Sequence, residues 1–189
     1  MKFHGNARVV LSPLGGVEDD VLRSIQKAVH SVFGLSSTVH CLLPEAGFAF
    51  DSARQQFHST AILDRLAACL PDSGLKILAV VPFDLFIPIL THVYGEAQLG
   101  GRACILSTCR LRKGETGPCS PAVLAERAAK EAVHELGHTF DLRHCPDTRC
   151  IMHYCRSLGD VDRKENQFCR YCRVMLDDAL RAEEGEIGN

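Results

Sequence analysis

The feature that most constrains this 189-residue chain is the run His134-Glu135-Leu136-Gly137-His138, which follows the pattern H-E-x-x-H. It lies in a segment that begins with Ser120-Pro121, a serine N-cap followed by proline at the first helical position. The apolar residues of this segment recur at helical spacing, so we predict a helix through it. Residues four apart on a helix lie one turn above each other, and both imidazoles can therefore reach one metal ion.

Glu135 lies beside this histidine pair, where it can accept a proton without being a ligand. Zinc suits two imidazoles because it binds their nitrogens at about 2.0–2.1 Å and tolerates an open coordination position. His144 could complete a three-histidine site if the helix ended near residue 140 and the chain turned back. The alternative is a helix that carries two solvated or core histidines.

Asp141 stands where the chain must turn. The turn needs a residue that accepts positive φ, which glycine does without cost. Aspartate and asparagine are the least penalised alternatives, at about 1–3 kcal/mol. We predict that Asp141 has positive φ and that His144 still reaches the metal; if the turn fails, Asp141 or solvent takes the place of His144.

Cysteine is abundant, with ten residues, and five of these fall within 28 residues at the C-terminal end. The N-terminus lacks the charged-then-apolar design of a secretory signal, so we expect a cytoplasmic protein whose clustered thiols bind metal. Four of them form two pairs that can hold a structural zinc in a tetrahedral array. These four are Cys145, Cys150, Cys169 and Cys172.

Two disulfides are the alternative to the four-thiolate zinc site, and Cys155 could substitute for one ligand. His144 and Cys145 are adjacent, so we infer that the cysteine site fixes where the third histidine points. Cys109 and Cys119 precede the predicted helix; a thiolate there could in principle block the zinc, but we favour no role for either.

With His144 included, the spacing is H-E-x-x-H-x-x-D-x-x-H, which resembles the motif of the metzincin zinc peptidases with Asp141 in place of the family's glycine. The cysteine array and Met152 make the segment more similar still to the archaemetzincins. The resemblance is dense over residues 134–172, whereas residues 1–133 show only a compatible order of elements. It implies two zinc ions, one catalytic and one structural, with Met152 in a tight turn beneath the histidines.

Tyr154 follows Met152 by two residues. In the astacin-like and serralysin-like metzincins a tyrosine at this position lies near the zinc, and a phenol there could donate to a developing oxyanion. The alternative is a half-buried structural tyrosine.

Strands and helices alternate in the first part of the chain. One predicted helix ends at Gly34, and Ser59 can cap a second that Pro71 ends. The alternation implies right-handed crossovers and a parallel start to the sheet. The predicted strands are Arg8–Leu11, Thr38–Leu43 and Leu75–Val81, and residues 47–56 are predicted to be a loop.

The pattern then changes to two extended segments, Thr91–Leu99 and Arg102–Leu111, joined at Gly100-Gly101 as in a hairpin. One of them must run antiparallel and could form the sheet edge. A last helix follows the cysteines, and residues 183–189 are expected to be frayed.

The fold implied by these elements and by the resemblance is α/β, with α+β character in the second half. It comprises a zincin-like mixed sheet with one antiparallel edge strand, flanking helices and a zinc-bound, cysteine-rich C-terminal subdomain. Residues 1–141 would form the N-terminal subdomain, including the active-site helix, and residues 142–189 the C-terminal one, together making one compact catalytic domain.

Charge and hydropathy exclude some classes of protein. The net charge of −2 gives no overall basic surface for nucleic acid or an anionic membrane. The longest apolar stretch, residues 75–90, is interrupted by lysine, aspartate and two prolines, so we expect no membrane span.

The expected function is peptide hydrolysis by a zinc-activated water with Glu135 as general base. The resemblance suggests aminopeptidase-like trimming of short peptides, for which Glu96 is a candidate to bind the free ammonium group. An extended substrate could pair with the strand in residues 91–99.

Two other functions stay open. One is a non-catalytic, zinc-stabilised interaction module that kept the ligands. The other is a nucleic-acid-binding cysteine-zinc module, which only the local excess of arginine in residues 143–173 favours. The sequence defines neither the substrate sequence nor the oligomeric state.

Overall fold

The computed structural model describes residues 7–69, 76–114 and 116–187. The strands are β1 (Ala7–Pro13), β2 (Ser36–Val39), β3 (Phe50–Asp51), β4 (Gln56–His58), β5 (Lys76–Val81), β6 (Leu85–Phe86), β7 (Gly95–Ala97) and β8 (Ala103–Ser107). The helices are α1 (Asp19–Phe33), α2 (Ser59–Ala68), α3 (Pro121–Thr139), α4 (Leu158–Arg163) and α5 (Arg170–Ile187).

The main sheet has five strands in the order β2-β1-β5-β8-β7. The first four are parallel, and β7 runs antiparallel to β8 at the edge, with Glu96 opposite Ile105. This confirms the predicted mixed sheet with an antiparallel edge strand. The hairpin strands are shorter than predicted, because only residues 95–97 and 103–107 join the ladder.

Helices cover both faces of this sheet, which explains why β5 is buried along its whole length. Leu78 and Val80 pack in the cluster that contains α1 and α3. Ile77 and Val81 face the other cluster, with Leu66 of α2. The alternation along β5 therefore divides the core into two layers.

Helix α3 begins as the sequence predicts. Ser120 Oγ accepts a hydrogen bond from the amide of Val123 at 3.3 Å, and Pro121 occupies the first turn. Helix α1 ends at Gly34, whose φ of 72° lets its N–H donate to the carbonyl of His30.

Residues 142–169 contain little regular structure apart from α4, a six-residue helix that the sequence analysis missed. A capping box formed by Ser157 and Asp160 fixes its first turn. Met152 and Phe168 are buried in the same apolar cluster as Val9 of β1. The C-terminal segment thus shares its core with the N-terminal part, and we propose that the two predicted subdomains act as a single catalytic unit.

The second predicted strand was wrong in its limits. It lies at Ser36–Val39 rather than Thr38–Leu43, since its partner β1 ends at Pro13, which has no N–H to continue the ladder. The predicted loop at residues 47–56 contains a short 3-10 helix and β3, and ends at the start of β4. With β6 these strands form a second small sheet in the order β3-β4-β6.

Ser59 does not cap α2; this prediction was wrong. The N-cap is His58, without a side-chain cap, and the Ser59 hydroxyl instead donates to the carbonyl of Phe86 at 3.1 Å and contacts Glu96. Pro71 and Leu75 lie outside the described residues.

Helix α5 continues to Ile187, so residues 183–187 are helical where fraying was expected, and residues 188–189 lie outside the described residues. The carboxylate of Glu183 lies 2.6 Å from Nζ of the buried Lys76, a tertiary contact that sequence spacing does not reveal. Within the described part of the chain, no helix is long and apolar enough to cross a membrane.

Candidate active site and metal centres

The three predicted histidine ligands meet at the end of α3. His134 and His138 lie one turn apart, and their Nε2 atoms are 3.1 Å from each other. The His144 ring centroid lies 5.3 Å from that of His134 and 4.9 Å from that of His138. One ring nitrogen from each of the three lies within 4.8 Å of the others. The structure therefore brings together the residues that the sequence singled out.

Hydrogen bonds to backbone carbonyls orient the first two rings. Nδ1 of His134 donates to the carbonyl of Ile151 at 2.8 Å, and Nδ1 of His138 donates to that of Leu142 at 2.7 Å. A ring that carries its proton on Nδ1 presents an unprotonated Nε2. Two lone pairs that face each other at 3.1 Å need a cation between them. Nitrogens bound tetrahedrally to zinc at about 2.05 Å lie roughly 3.3 Å apart, so this donor set fits the ion.

The histidines are held in the neutral form that a metal requires. Burial lowers the pKa of His138 to about 4, and it lowers that of His134 well below its usual value. Burial, with the nearby charge of Lys164, also lowers the pKa of His144. None of the three rings needs to lose a proton near neutral pH before it can bind zinc.

The turn after α3 has the conformation predicted for it. Asp141 has φ of 61°, which confirms the prediction of positive φ. The amide of Asp141 donates to the carbonyl of His138 at 3.0 Å, and the amide of Leu142 donates to that of Gly137 at 3.2 Å. These two bonds are a Schellman motif with aspartate in the left-handed position that glycine usually occupies. The motif also places the Leu142 carbonyl against the ring of His138.

Glu135 is buried beside the histidines, and its carboxylate faces the edge strand. Burial, followed by the charge of Glu131, raises its pKa well above the usual value. A Cβ built at Gly95 of β7 would overlap Glu135 Oε1 and would lie 2.6 Å from the carbonyl oxygen of Ile105. Gly95 was not among the predicted site residues, although a glycine inside a strand is itself a sign of close approach.

Met152 packs directly under the histidine helix. A Cβ at Gly137 would lie 2.5 Å from Met152 Sδ, so the glycine gives this side chain its place. The Met152 carbonyl accepts a hydrogen bond from the amide of Cys145 at 2.9 Å. Tyr154 follows on the cleft surface, 43% exposed, with its ring centroid 5.0 Å from that of His144. This position is compatible with both interpretations of Tyr154.

The four predicted cysteine ligands form a second group, whose sulfur atoms all lie within 4.8 Å of one another. Cys145 Sγ and Cys169 Sγ are 3.8 Å apart, and the amide of Cys169 donates to Cys150 Sγ at 3.3 Å. All ten cysteines are free thiols. Burial raises the pKa of Cys150 to about 11. Four sulfurs so close together can all be thiolates only around a cation, and zinc fits this donor set.

The other cysteines do not join either group. Cys155 lies on the cleft, where its thiol donates to the carbonyl of His153 at 3.5 Å, and burial raises its pKa to about 11. Cys119 Sγ donates to the carbonyl of Leu111 at 3.5 Å. Cys109 lies outside both groups, and burial raises its pKa.

A cavity of about 660 Å³ opens in front of the histidines. Its lining comes from residues 87–99, which include β7, from α3, and from residues 143–156. Glu96 belongs to this lining, and the hydroxyl of Thr60 donates to its Oε1 at 2.8 Å. The candidate for binding a substrate ammonium group therefore lies in the same cleft as the metal centre.

A buried ion pair lies next to the site. Lys164 Nζ is 2.7 Å from Glu131 Oε1, and the lysine side chain is 0% exposed. Glu131 precedes Glu135 by one helical turn and lines the cavity. Spacing on α3 could have indicated Glu131, but no sequence signal marks Lys164 as its partner.

Three imidazoles around one point, with a buried carboxylate and an open cleft beside them, are the parts of a zinc metallopeptidase. The chain is an enzyme of this class. The family model of peptidase family M54 matches residues 47–178, and the chain belongs to that family.

Its relatives include archaemetzincins of archaea. The archaemetzincin of Methanocaldococcus jannaschii is 37% identical over 175 residues, which cover 90% of this chain and 93% of the relative. That of Halobacterium salinarum is 36% identical over 170 residues, which cover 88% and 97%.

Solved structures agree with the fold. The crystal structure of archaemetzincin from Methanopyrus kandleri matches with a TM-score of 0.79 at 29% identity, covering 96% of this chain and 99% of that one. A zinc-dependent peptidase from Methanocorpusculum labreanum matches with a TM-score of 0.78 at 29% identity, covering 89% and 99%. The metalloproteinase-II of Bacteroides fragilis, at 10% identity and a TM-score of 0.58, shares the fold alone.

Proposed function

We propose that the chain hydrolyses peptide bonds with Glu135 as general base, and that it acts on short peptides from the amino end. The observation that carries the proposal is the position of the Glu135 carboxylate, beside the three histidines and under the edge strand. A carboxylate in that position can reach a water and a scissile amide in the same cleft.

A zinc ion bound by His134, His138 and His144 would supply a Lewis acid that polarises the scissile carbonyl and acidifies water. Glu135 takes the proton from the attacking water and delivers it to the leaving amine. The Tyr154 hydroxyl donates a hydrogen bond to the oxygen on which negative charge develops.

The edge strand positions the substrate. β7 is the last strand of the main sheet, and its residues 95–97 line the cleft. An extended peptide added beside β7 would have its main chain held by backbone hydrogen bonds and its scissile amide next to Glu135.

Glu96 supplies the specificity for a free amino end. Its carboxylate contacts the hydroxyls of Ser59 and Thr60 at the start of α2, which fix its orientation. A carboxylate has about four acceptor positions, so it can bind an ammonium group in addition. We expect Glu96→Gln to raise KM for peptides with a free amino end, while N-acetylated peptides, which lack that cation, are unaffected.

The chain binds two zinc ions in this proposal, one at the histidines and one at the four cysteines. The cysteine site is closed and structural, because all four of its coordination positions are filled by protein. Metal analysis of the purified protein should therefore find two zinc ions per chain.

Glu135→Gln tests the catalytic part of the proposal. The variant should keep both zinc ions but lose hydrolysis by about 10²–10⁴-fold, the usual contribution of a general base. Glu126→Gln, an exposed change on the same helix, is the matched control. Equal activity of Glu135→Gln and the wild-type protein would exclude Glu135 as the base. If the wild-type protein cleaves no member of a broad peptide library, the non-catalytic interaction module is favoured.

A further inference from the structure

We infer that Arg143 and Arg156 form a carboxylate-binding subsite in the active-site cleft, which makes peptides bearing a carboxylate near the scissile bond the preferred substrates. This inference rests on the proposed peptidase function and names its substrate class. The carboxylate has two possible sources, an acidic side chain or the carboxyl end of a short peptide, and both present the same group.

Most arginines of the chain have partners within the fold. Arg110 binds the Asp84 carboxylate with two bonds of 2.7 Å, and Arg127 binds Asp162 at 2.6 and 2.7 Å. Others pair on the surface or pack on an aromatic ring, as Arg65 does over Phe48. Among the arginines whose side chains the structure describes, three have a guanidinium group without a hydrogen-bonding, ionic or aromatic partner: Arg143, Arg156, whose backbone amide alone donates to Asp160, and Arg170.

Two of these three unpaired guanidinium groups line the active-site cavity, and Arg170 does not. Arg143 immediately precedes the third histidine, and Arg156 follows Tyr154 by two residues. Both side chains are exposed. Their planar, two-pronged donors match the two oxygens of a carboxylate, which a lysine ammonium would not do.

The acidic side chains of the cavity do not neutralise these two arginines. Glu131 is buried and paired with Lys164. Glu135 is buried beside the histidines, and Glu96 contacts two hydroxyl groups. The cavity therefore carries an acidic group on residues 87–99 and two unpaired cations on residues 143–156. A short peptide carries the complementary charges, an ammonium at one end and a carboxylate at the other.

The size of the cavity agrees with this class of substrate. A volume of about 660 Å³ lies within the range of roughly 300–1,000 Å³ found for small-molecule sites. A short peptide that occupies the cavity can present a carboxylate to the two arginines, either from its own carboxyl end or from one of its acidic side chains.

The test measures binding to the zinc-loaded Glu135→Gln protein, which retains substrate without cleaving it. Four peptides of one sequence are compared by calorimetry, with the carboxyl end free or amidated and one internal residue Glu or Gln. We expect the doubly neutral peptide to bind weakest. Arg143→Gln and Arg156→Gln should each weaken binding of the carboxylate peptides by about five-fold, the upper range for an exposed ion pair, and together by about twenty-fold. Pairs of peptides that differ in only one carboxylate show whether the arginines bind the carboxyl end or the acidic side chain.

Further variants separate recognition from folding. Arg143→Lys and Arg156→Lys keep the positive charge but lose the two parallel N–H donors of the guanidinium. Each should therefore bind the carboxylate peptides more tightly than the corresponding glutamine variant and less tightly than the protein with both arginines. Arg181→Gln removes a cation on α5 that pairs with Asp178 and does not line the cavity, and it should change nothing. The preference for carboxylate should shrink as salt is raised, because both arginines are exposed.

Two results would overturn the subsite. One is equal affinity for all four peptides in the Glu135→Gln protein with both arginines intact, and the other is equal weakening of all four when both arginines are replaced. Cleavage of the neutral peptide by wild type with no carboxylate preference would leave the peptidase function intact and remove only the subsite. If the Glu135→Gln protein prefers carboxylate peptides but the wild-type protein cleaves none of the four, the peptidase proposal fails and the subsite remains.

Discussion

The histidine group and the cysteine group are neighbours in sequence but differ in how they are built. His134 and His138 project from α3, a 19-residue helix with both ends capped, and backbone carbonyls orient their rings. Of the four cysteines only Cys172 lies within a helix; the others lie in irregular chain or just before α5. One site rests on secondary structure, whereas the other joins segments that have little of it.

Metal binding contributes differently to folding at the two sites. The rings on α3 are positioned by hydrogen bonds that form as the helix packs. The cysteines lie 24 residues apart at Cys145 and Cys169, so a metal that joins them closes a loop in a segment with few elements of its own. His144 belongs to the histidine group, but it lies on irregular chain immediately before Cys145. Two histidine ligands are therefore built on a helix, and we expect the position of the third to depend on the cysteine site.

Loss of one thiolate should have the largest effect. We expect Cys169→Ser to lose the structural zinc, to destabilise residues 142–169 by on the order of several kcal/mol, and to weaken zinc binding at the histidines. Zinc titration and amide hydrogen exchange measure these effects. Cys41→Ser, at an exposed thiol outside both groups, is the control. Unaltered zinc affinity at the histidines in Cys169→Ser would show that the two sites are independent.

Gly95→Ala tests the position of Glu135 on α3 without altering the cysteine group. The new Cβ overlaps the Glu135 carboxylate and crowds the Ile105 carbonyl, so the general base must move. A misplacement of about 1 Å can cost on the order of 10²-fold in rate, and we expect a loss of that size in kcat with both zinc ions retained. Gly16→Ala, where a Cβ meets nothing within 4 Å, should leave the rate unchanged. Normal turnover in Gly95→Ala would mean that β7 does not constrain Glu135.

Tyr154→Phe probes the part of the cleft that the C-terminal segment supplies. If the phenol donates to the developing oxyanion, its loss should lower kcat by about ten-fold, less than for a buried donor because Tyr154 is half exposed. KM and zinc content should hardly change. Tyr171→Phe, on the exposed face of α5, serves as control. An unchanged kcat would favour the structural interpretation of Tyr154.

The metal-ligand groups and the turn could be predicted because they depend on local spacing. Two histidines four apart on a helix must share a face, and the turn before His144 required positive φ at Asp141, which the structure has. The cysteine pairs were predicted differently, from close spacing within each pair and from the expected reducing compartment. Their meeting across 24 residues depends on the tertiary fold.

The parts that were missed depend on tertiary register. Gly95 meets Glu135 only because β7 pairs with β8 in one alignment and packs against α3. Lys164 follows Glu131 by 33 positions, and the chain between them comprises the end of α3, irregular structure and α4. The second sheet has strands of two or three residues, too short to show an alternating pattern.

The smallest expected effect distinguishes whether the turn at Asp141 or the cysteine site holds His144 in place. Asp141 has a left-handed backbone conformation that glycine adopts without strain, so Asp141→Gly should raise the free energy of unfolding by up to about 1 kcal/mol. The greater conformational entropy of glycine in the unfolded chain reduces this gain. Asp141→Val should lower it, since a β-branched residue is poorly tolerated at positive φ. Chemical denaturation measures both. If the cysteine site anchors His144, the glycine variant keeps the zinc affinity of the histidine site; a several-fold loss would show that the stiffness of the turn also holds the third ligand in place.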